Sequence, residues 1–217
     1  MAVIVLVTST AHAQNRRPGA ELPVRVFDLT GQRDDQRAVA LETAAAVLAN
    51  AGVRIDWMIC WPVAGEDAGC TGSLRDTERV VRVMPTSPTV PRQESVAMGT
   101  SVVDGRSRAG VLATIYADRV SWMASHTTTD PAVLLGRAIA HELGHLLLGS
   151  RHASAGIMRP TWTVSDLRWD RPGDWQFTNE QVRMLGRLLL TSPLALPPLP
   201  AAPPPSALHS RPRAPRH

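Results

Sequence analysis

The stretch AIAHELGHLLLGSRHASAGIMRP, from Ala138 to Pro160, holds three of the chain's seven histidines and decides how the rest of the sequence is interpreted. His141 and His145 are four residues apart within an apolar run that predicts a buried helix. At that spacing the two imidazoles project from the same helix face, one turn apart. Their nitrogens can therefore approach one metal ion at about 2.0–2.1 Å.

Glu142 lies inside this apolar run, about 100° around the helix from His141. A buried carboxylate without a partner is strongly destabilising, and a metal-bound water supplies the missing partner. The HExxH pattern places a glutamate where it can act as a general base beside a metal. The competing interpretation is a core helix with two hydrogen-bonded histidines and a paired glutamate.

Residues downstream of the helix offer a third ligand. Gly149 follows the last leucine and predicts a left-handed C-terminal stop that turns the chain back on itself. His152, three residues later, can then approach the metal from the other side. Met158 follows six residues beyond His152 and is a candidate for a tight turn beneath the site.

This combination, HELGHLLLGSRH followed by GIM, resembles the metzincin zinc proteases. Their pattern is two helical histidines, a helix-ending glycine, a third histidine and a methionine turn. The upstream segment VAMGTSVVDGRSRAGVLATIYADRV is similar to their edge strand, loop and last strand before the active-site helix. The resemblance covers residues 24–192 and is sharply diagnostic over residues 141–158.

The resemblance implies that His141, His145 and His152 bind Zn²⁺ and that Glu142 is the catalytic base and acid. Met158 then forms a hydrophobic floor without touching the metal. The implied activity is hydrolysis of peptide bonds by a metal-activated water. The chain is therefore expected to be a zinc metalloendopeptidase that acts on peptides or proteins.

Two features depart from the metzincin pattern. Gly149 lies four residues after His145 instead of three, and the additional helical residue rotates the helix exit by about 100°. The methionine is also unusually close to His152, and Arg159–Pro160 follow it without a tyrosine.

Two acidic residues therefore compete with His152 for the third ligand position. Glu180 would give a gluzincin-type peptidase, and Asp166 is the other candidate. A zinc-stabilised binding protein without turnover is the alternative from another functional class. The presence of Glu142 favours the enzyme, because a purely structural site does not need that carboxylate.

The rest of the pattern predicts an α+β fold: a mixed twisted sheet of four to five strands with an active-site helix and a C-terminal helix. Apolar or alternating runs predict strands in VRVFDL, VRIDWMIC, ERVVRVMP, VAMGTSVV and GVLATIYADRV. Helix formers at helical spacing predict a first helix over DDQRAVALETAAAVLANAG.

Capping residues mark the other two helices. The active-site helix is predicted to begin near Pro131, with Thr129 or Asp130 as its cap. The C-terminal helix, TNEQVRMLGRLLL, has Thr178 as its cap and Gln181 at the capping-box position.

Cys60 and Cys70 flank nine residues, WPVAGEDAG, whose Pro and Gly residues predict a loop that can bring the two sulfurs together. In an oxidising compartment they would form a disulfide; two free thiols in a cytosolic protein are the alternative. The N-terminus MAVIVLVTSTAHAQ predicts a secretory signal cut after Ala13, with a buried first strand as its alternative. Together these features predict export, to a periplasm or out of the cell.

Composition excludes two functional classes. A hydrophobic fraction of 44% and a charged fraction of 19% are typical of a soluble globular protein, and no apolar run is long enough to span a bilayer. All 23 basic residues are arginine, and they are scattered rather than clustered, so nucleic-acid binding is not expected. The protein is expected to be a monomer.

The sequence divides into four parts. These are a signal peptide (1–13), a leader (14–23), a metzincin-like catalytic domain (24–192) and a tail (193–217). The tail carries half of the eighteen prolines, three arginines and no acidic residue, which predicts a disordered extension. It is either a passive tail or a contact site for an unknown partner.

A few aromatic residues complete the candidates. Tyr116, the only tyrosine, is expected to pack in or near the last strand, with a role as oxyanion donor as the alternative. His126 is expected to be a surface residue. Trp162, Trp169 and Trp175 are expected to lie in the core, with one of them walling the pocket as the alternative.

Overall fold

The computed structural model describes residues 20–60, 68–86, 97–107 and 109–191. Its elements are, in chain order, β1 (Ala20–Asp28), α1 (Asp34–Asn50), β2 (Val53–Cys60), α2 (Ala68–Thr71), β3 (Arg79–Met84), β4 (Gly99–Val103), β5 (Gly110–Tyr116), α3 (Ala117–Ser125), α4 (Pro131–Leu148), α5 (Val164–Trp169), a 3₁₀ turn (Pro172–Trp175) and α6 (Asn179–Thr191). The predicted signal peptide, residues 14–19 of the predicted leader and the predicted tail lie outside the described residues.

The five strands form one mixed sheet in the order β2-β1-β3-β5-β4. β1 pairs in parallel with β2 and β3, and β3 pairs in parallel with β5. β4 pairs antiparallel with β5 and lies at one edge of the sheet, opposite β2 at the other edge. The predicted α+β class, with its mixed sheet, central helix and C-terminal helix, is therefore confirmed.

The core lies between one face of this sheet and the helices α1 and α4. Alternate residues of β1 (Leu22, Val24 and Val26) are buried on that face, as the period of two along a strand requires. α4 contacts α1 and α3 among the helices and β4 and β5 in the sheet. As a result, fifteen of its eighteen residues are buried. Any polar side chain that α4 carries is therefore largely removed from water.

The helix caps agree with the local sequence patterns. The carboxylate of Asp130 accepts a hydrogen bond from the Ala132 N–H at 2.7 Å, and Pro131 opens α4. Thr178 and Gln181 form a reciprocal capping box at the start of α6, with bonds of 2.9 and 3.3 Å. Both caps involve groups only two or three residues apart, which is why local sequence was sufficient to predict them.

Two element boundaries differ from the predictions. β1 begins at Ala20, so residues 20–23 belong to the sheet and not to a leader. These residues pair with the first half of β2. Because this pairing is non-local, their leader-like composition did not predict it. The last strand ends at Tyr116, and the residues predicted as its continuation begin α3. Ala117, Val120 and Ala124 are buried there at helical spacing.

The segment between α4 and α6 also contains structure that the sequence did not predict. α5 begins with a capping box between Thr163 and Asp166, and its buried residue is Leu167. Trp169 lies two residues further around this helix and is 69% exposed, so its predicted place in the core is wrong. The guanidinium of Arg171 lies 4.9 Å from the Trp169 ring centroid instead.

Cys60 and Cys70 form a disulfide, as predicted for an oxidising compartment. Residues 61–67 of the predicted loop lie outside the described residues. The bond joins the end of β2 to the short helix α2, at the sheet edge opposite β4. Within the described ranges, no helix has the length and apolar character needed to cross a membrane.

Candidate metal centre

α4 carries the first two histidines, and a backbone carbonyl fixes each of them. Nδ1 of His141 lies 2.7 Å from the Ile157 carbonyl oxygen, and Nδ1 of His145 lies 3.0 Å from the Gly149 carbonyl oxygen. A carbonyl oxygen can only accept, so in the neutral rings the proton is assigned to Nδ1. Both Nε2 atoms are consequently left as unprotonated electron-pair donors.

These two Nε2 atoms face each other at 3.1 Å. Two lone pairs at this distance repel each other unless a proton or a cation lies between them. Two nitrogens bound at about 2.0–2.1 Å to one tetrahedral metal ion would be separated by about 3.3 Å. The observed pair therefore has the spacing and the tautomers of two ligands to one cation.

Burial keeps both of these imidazoles in the neutral form. It lowers the pKa of His141 to about 4, and the hydrogen bond to Ile157 offsets only part of this effect. Burial also lowers the pKa of His145, and the nearby His152 imidazole acts in the same direction. Both rings are therefore neutral at pH 7, which is the form that binds metals.

A sharp turn after α4 brings His152 to the same place. Gly149 ends the helix at φ 90° and ψ −179°, a backbone conformation that is accessible essentially to glycine alone. The ring centroid of His152, an exposed residue, lies 4.7 Å from that of His145 and 5.5 Å from that of His141. The additional leucine is accommodated inside α4, because the Gly149 N–H still donates to the His145 carbonyl at 2.9 Å.

Among the described residues, these three histidines are the group able to hold a metal ion, and their ligand atoms all lie within 4.8 Å of one another. Neither Asp166 nor Glu180 belongs to the group. The Asp166 carboxylate accepts instead from Arg159 at 2.9 Å and from Thr163 in the α5 capping box. Glu180 lies in the first turn of α6, where a carboxylate interacts favourably with the helix dipole.

Glu142 lies beside this group as a buried carboxylate, and one side chain of the described residues bonds to it. Its Oε2 lies 2.6 Å from the hydroxyl of Ser101 on β4. Burial raises the pKa of Glu142 to about 7, in spite of this hydrogen bond, which acts in the opposite direction. A carboxyl group of this strength can both accept and return a proton near neutral pH.

Met158 packs against α4, and Trp162 packs against His141. Met158 is fully buried, and a Cβ atom at Gly144 of α4 would lie 2.5 Å from its sulfur, so the methionine packs directly against the bare helix backbone. The Trp162 ring meets His141 edge-on at 5.5 Å. Its Nε1 donates at 3.3 Å to the Ile157 carbonyl, the same oxygen that fixes His141.

A cleft of about 400 Å³ opens over the three histidines. The cleft is lined by β4 and the residues just before it, by α4, and by the segment that contains Trp162. Trp162 is thus both a core residue and a pocket wall, whereas Trp175 is simply buried.

Two other aromatic candidates lie elsewhere in the described chain. The Tyr116 ring packs against Arg119, whose guanidinium lies 5.0 Å from the ring centroid, and Tyr116 is not part of the cleft lining. His126 directly follows α3 as its C-terminal cap, and its Nδ1 lies 2.7 Å from the Trp122 carbonyl oxygen. His126 is exposed, as predicted, and lies outside the histidine group.

Sequence reasoning missed two residues of β4 that contact Glu142. Ser101 donates to its carboxylate, and Gly99 leaves the room for it, since a Cβ atom there would lie 2.7 Å from Cγ and Oε1 of Glu142. Both residues precede Glu142 by about forty positions. The one available signal was the run of small residues in MGTS, within the segment that is similar to the metzincin edge strand.

The fold and this centre define a class of architecture: an α+β domain whose core helix presents two histidines and a glutamate, completed by a third histidine after a glycine turn. No protein-family model and no curated protein matches the chain. Among solved structures, the chain is similar to archaemetzincin from Methanopyrus kandleri, with 16% identity and a TM-score of 0.49 over 80% of this chain and 98% of that one. It is also similar to metalloproteinase-II from Bacteroides fragilis, with 13% identity and a TM-score of 0.49 over 78% of this chain and 53% of the other.

Proposed function

We propose that this chain is an exported zinc-dependent peptidase that cleaves peptide bonds with Glu142 as its general base. One observation carries the proposal. The ligand atoms of His141, His145 and His152 lie within 4.8 Å of one another, and the buried Glu142 lies on the same core helix as His141 and His145.

The donor set fits zinc. His141, His145 and His152 would hold the ion through neutral imidazole nitrogens, and three protein ligands leave a fourth position open, as catalytic zinc sites require. When bound, zinc supplies Lewis-acid polarisation of a carbonyl and lowers the pKa of water to near 7. The backbone carbonyls of Ile157 and Gly149 orient the two helical imidazoles for this role.

Glu142 performs the proton transfers. It takes a proton from the attacking water and returns it to the leaving amine, so that the same carboxyl group serves as base and then as acid. Met158 is proposed to act as the apolar floor of the site, where it packs against Gly144 and makes no contribution to proton transfer.

The substrate is proposed to be a peptide or protein segment that lies extended along β4. β4 is the edge strand of the described sheet on the side of the centre, and it borders the cleft. A peptide that pairs with this strand would extend the sheet through main-chain hydrogen bonds. The apolar side chains of Met98 and Trp162 on the cleft walls are available to contact its side chains.

Export is proposed from the disulfide between Cys60 and Cys70, since such bonds persist mainly in oxidising compartments. The predicted cut after Ala13 provides a direct test. N-terminal sequencing of the protein recovered outside the cytoplasm should begin at Gln14. A mature protein that keeps Met1 and has reduced cysteines would contradict export.

The central experiment compares the wild type with Glu142→Gln on unfolded casein and on a fluorogenic peptide library. The wild type should bind one zinc per chain and lose cleavage when a chelator removes it. Glu142→Gln should keep its zinc and lose roughly 100-fold to 10,000-fold in kcat, the range of general acid–base catalysis. Undiminished cleavage by this variant would refute the mechanism.

A matched pair of histidine substitutions tests the metal centre. His152→Ala should weaken zinc binding at least tenfold, whereas His126→Ala, which changes an exposed histidine outside the group, should leave zinc binding unchanged. Stoichiometric zinc without cleavage of any library peptide would instead identify a zinc-stabilised binding protein.

A further inference from the structure

A short hydrogen bond links the edge strand to the candidate base. The hydroxyl of Ser101 on β4 lies 2.6 Å from Oε2 of Glu142 and 2.9 Å from the backbone carbonyl oxygen of the same residue. The first distance is typical of a hydroxyl that donates to an ionised carboxylate. One hydroxyl therefore contacts both the side chain and the backbone of Glu142, across the interface between sheet and helix.

The strand presents this hydroxyl by its pleat. Ser101 pairs with Ala113, and Gly99 pairs with Ile115; both of these partners on β5 are fully buried on the face that packs against α4. Ser101 and Gly99 therefore lie on the helix-facing side of β4. Gly99 leaves the space that the carboxylate occupies, and Ser101 holds the carboxylate within that space.

The orientation of a glutamate carboxylate is weakly defined by its own torsion angles, because the terminal torsion is broad and has no deep minimum. A base must nevertheless be held within about 0.5 Å of its productive position to transfer a proton efficiently. A fixed hydrogen-bond partner on one carboxylate oxygen removes this freedom. It also leaves the second oxygen for proton transfer.

We propose that Ser101 is a positioning residue for Glu142, and that it raises the rate of catalysis by holding Oε2 so that the carboxylate keeps one orientation toward the reacting water. This role rests on the proposed peptidase function. In this proposal, β4 both borders the substrate and aligns the base.

The first test is Ser101→Ala in the zinc-loaded protein, with Ser107→Ala as the matched control. Ser107 lies on the same hairpin, and its hydroxyl also bonds a carboxylate, the exposed Asp104, at 2.9 Å. Ser101→Ala should lower kcat at least tenfold while KM and zinc content stay unchanged, and Ser107→Ala should match the wild type. A kcat within twofold of the wild type, or a loss of kcat together with loss of zinc, would overturn the proposal.

The second test needs no hydrolysis. Thermal unfolding of the metal-free protein at pH 8 is measured for the wild type, Ser101→Ala, Glu142→Ala and the double variant. In the wild-type background, Ser101→Ala should lower the Tm by about 2–4 °C more than it does in the Glu142→Ala background. The reason is that only the wild-type background retains the carboxylate to which Ser101 bonds.

Equal shifts in the two backgrounds would overturn the link between the two residues. The two tests also separate this inference from the function on which it rests. A wild type that cleaves nothing refutes the peptidase and with it a catalytic role for Ser101. A coupled shift in Tm would then still establish Ser101 as the partner that holds Glu142.

Discussion

Glu142 is a proposed proton acceptor and also a buried carboxylate, and these two properties place opposite demands on its pKa. The base that we propose must ionise near neutral pH, yet the place of Glu142 on the buried helix α4 disfavours the ionised form and raises its pKa to about 7. Protonation of Glu142 therefore stabilises the folded metal-free protein. That stabilisation is fully present below the unfolded-state pKa of 4.5 and is lost as pH rises through about 7.

Glu142→Gln should therefore be more stable than the wild type at high pH and similar to it at low pH. We expect a difference in the free energy of unfolding of about 3 kcal/mol at pH 8 that disappears near pH 4.5, measured by urea denaturation without metal. Burial lowers the pKa of His141 and has the opposite pH dependence, but this effect is common to both proteins and cancels in the difference.

Glu42→Gln, at an exposed position of α1, is the control and should show no such pH-dependent gain. A difference between Glu142→Gln and the wild type that does not change between pH 4.5 and pH 8 would mean that the Glu142 carboxylate is not buried in the folded protein.

The element that determines the geometry of the centre is the C-terminal end of α4. This helix runs through Leu148 and then stops at Gly149, whose φ of 90° directs the chain toward His152. The Gly149 carbonyl also orients the ring of His145. One turn thus supports two of the three proposed ligands.

Gly149→Ala should therefore lower both the free energy of unfolding and the affinity for zinc. A side chain at this backbone conformation is expected to cost about 1–3 kcal/mol in the free energy of unfolding. Because the turn also positions His152, zinc affinity should fall at least tenfold, as measured by competition with a chromogenic chelator.

Gly186→Ala is the matched control at the element scale. Gly186 lies inside α6 with open space around its Cβ position, and this substitution should be neutral or stabilise by up to about 1 kcal/mol. If Gly149→Ala behaves in the same way as Gly186→Ala, the turn after α4 does not require a glycine.

Across the whole molecule, the disulfide and the candidate centre lie at opposite edges of the sheet. Cys60 ends β2 at one edge, whereas the cleft is bordered by β4 at the other. Loss of the disulfide should therefore lower the stability of the protein without changing its activity, as expected for distant sites.

The double variant Cys60→Ala and Cys70→Ala should lose about 3 kcal/mol of unfolding free energy, the contribution expected for a loop of this length. Zinc content and kcat should remain unchanged at temperatures where the variant is folded, as checked by circular dichroism. Loss of zinc from the folded variant would show that the two edges are coupled.

Local features of this protein could be predicted from sequence because the interacting groups are close along the chain. The helical spacing of His141 and His145 and the caps at Asp130 and Thr178 depend on residues at most four positions apart. Such features are determined by backbone periodicity and by adjacent hydrogen-bonding groups. The sequence pattern was therefore sufficient to predict the core helix and its HExxH motif.

Other features depend on contacts between distant parts of the chain, and they became visible only in the folded structure. The hydroxyl of Ser101 reaches Glu142 because β4 lies beside α4, and Trp162 meets His141 because the chain reverses at Gly149. The extension of β1 to Ala20 likewise requires β2 as its partner. The sequence was enough to place His141, Glu142 and His145 on one helix. The tertiary structure brings His152 to them and holds the carboxylate, because both depend on packing across the core.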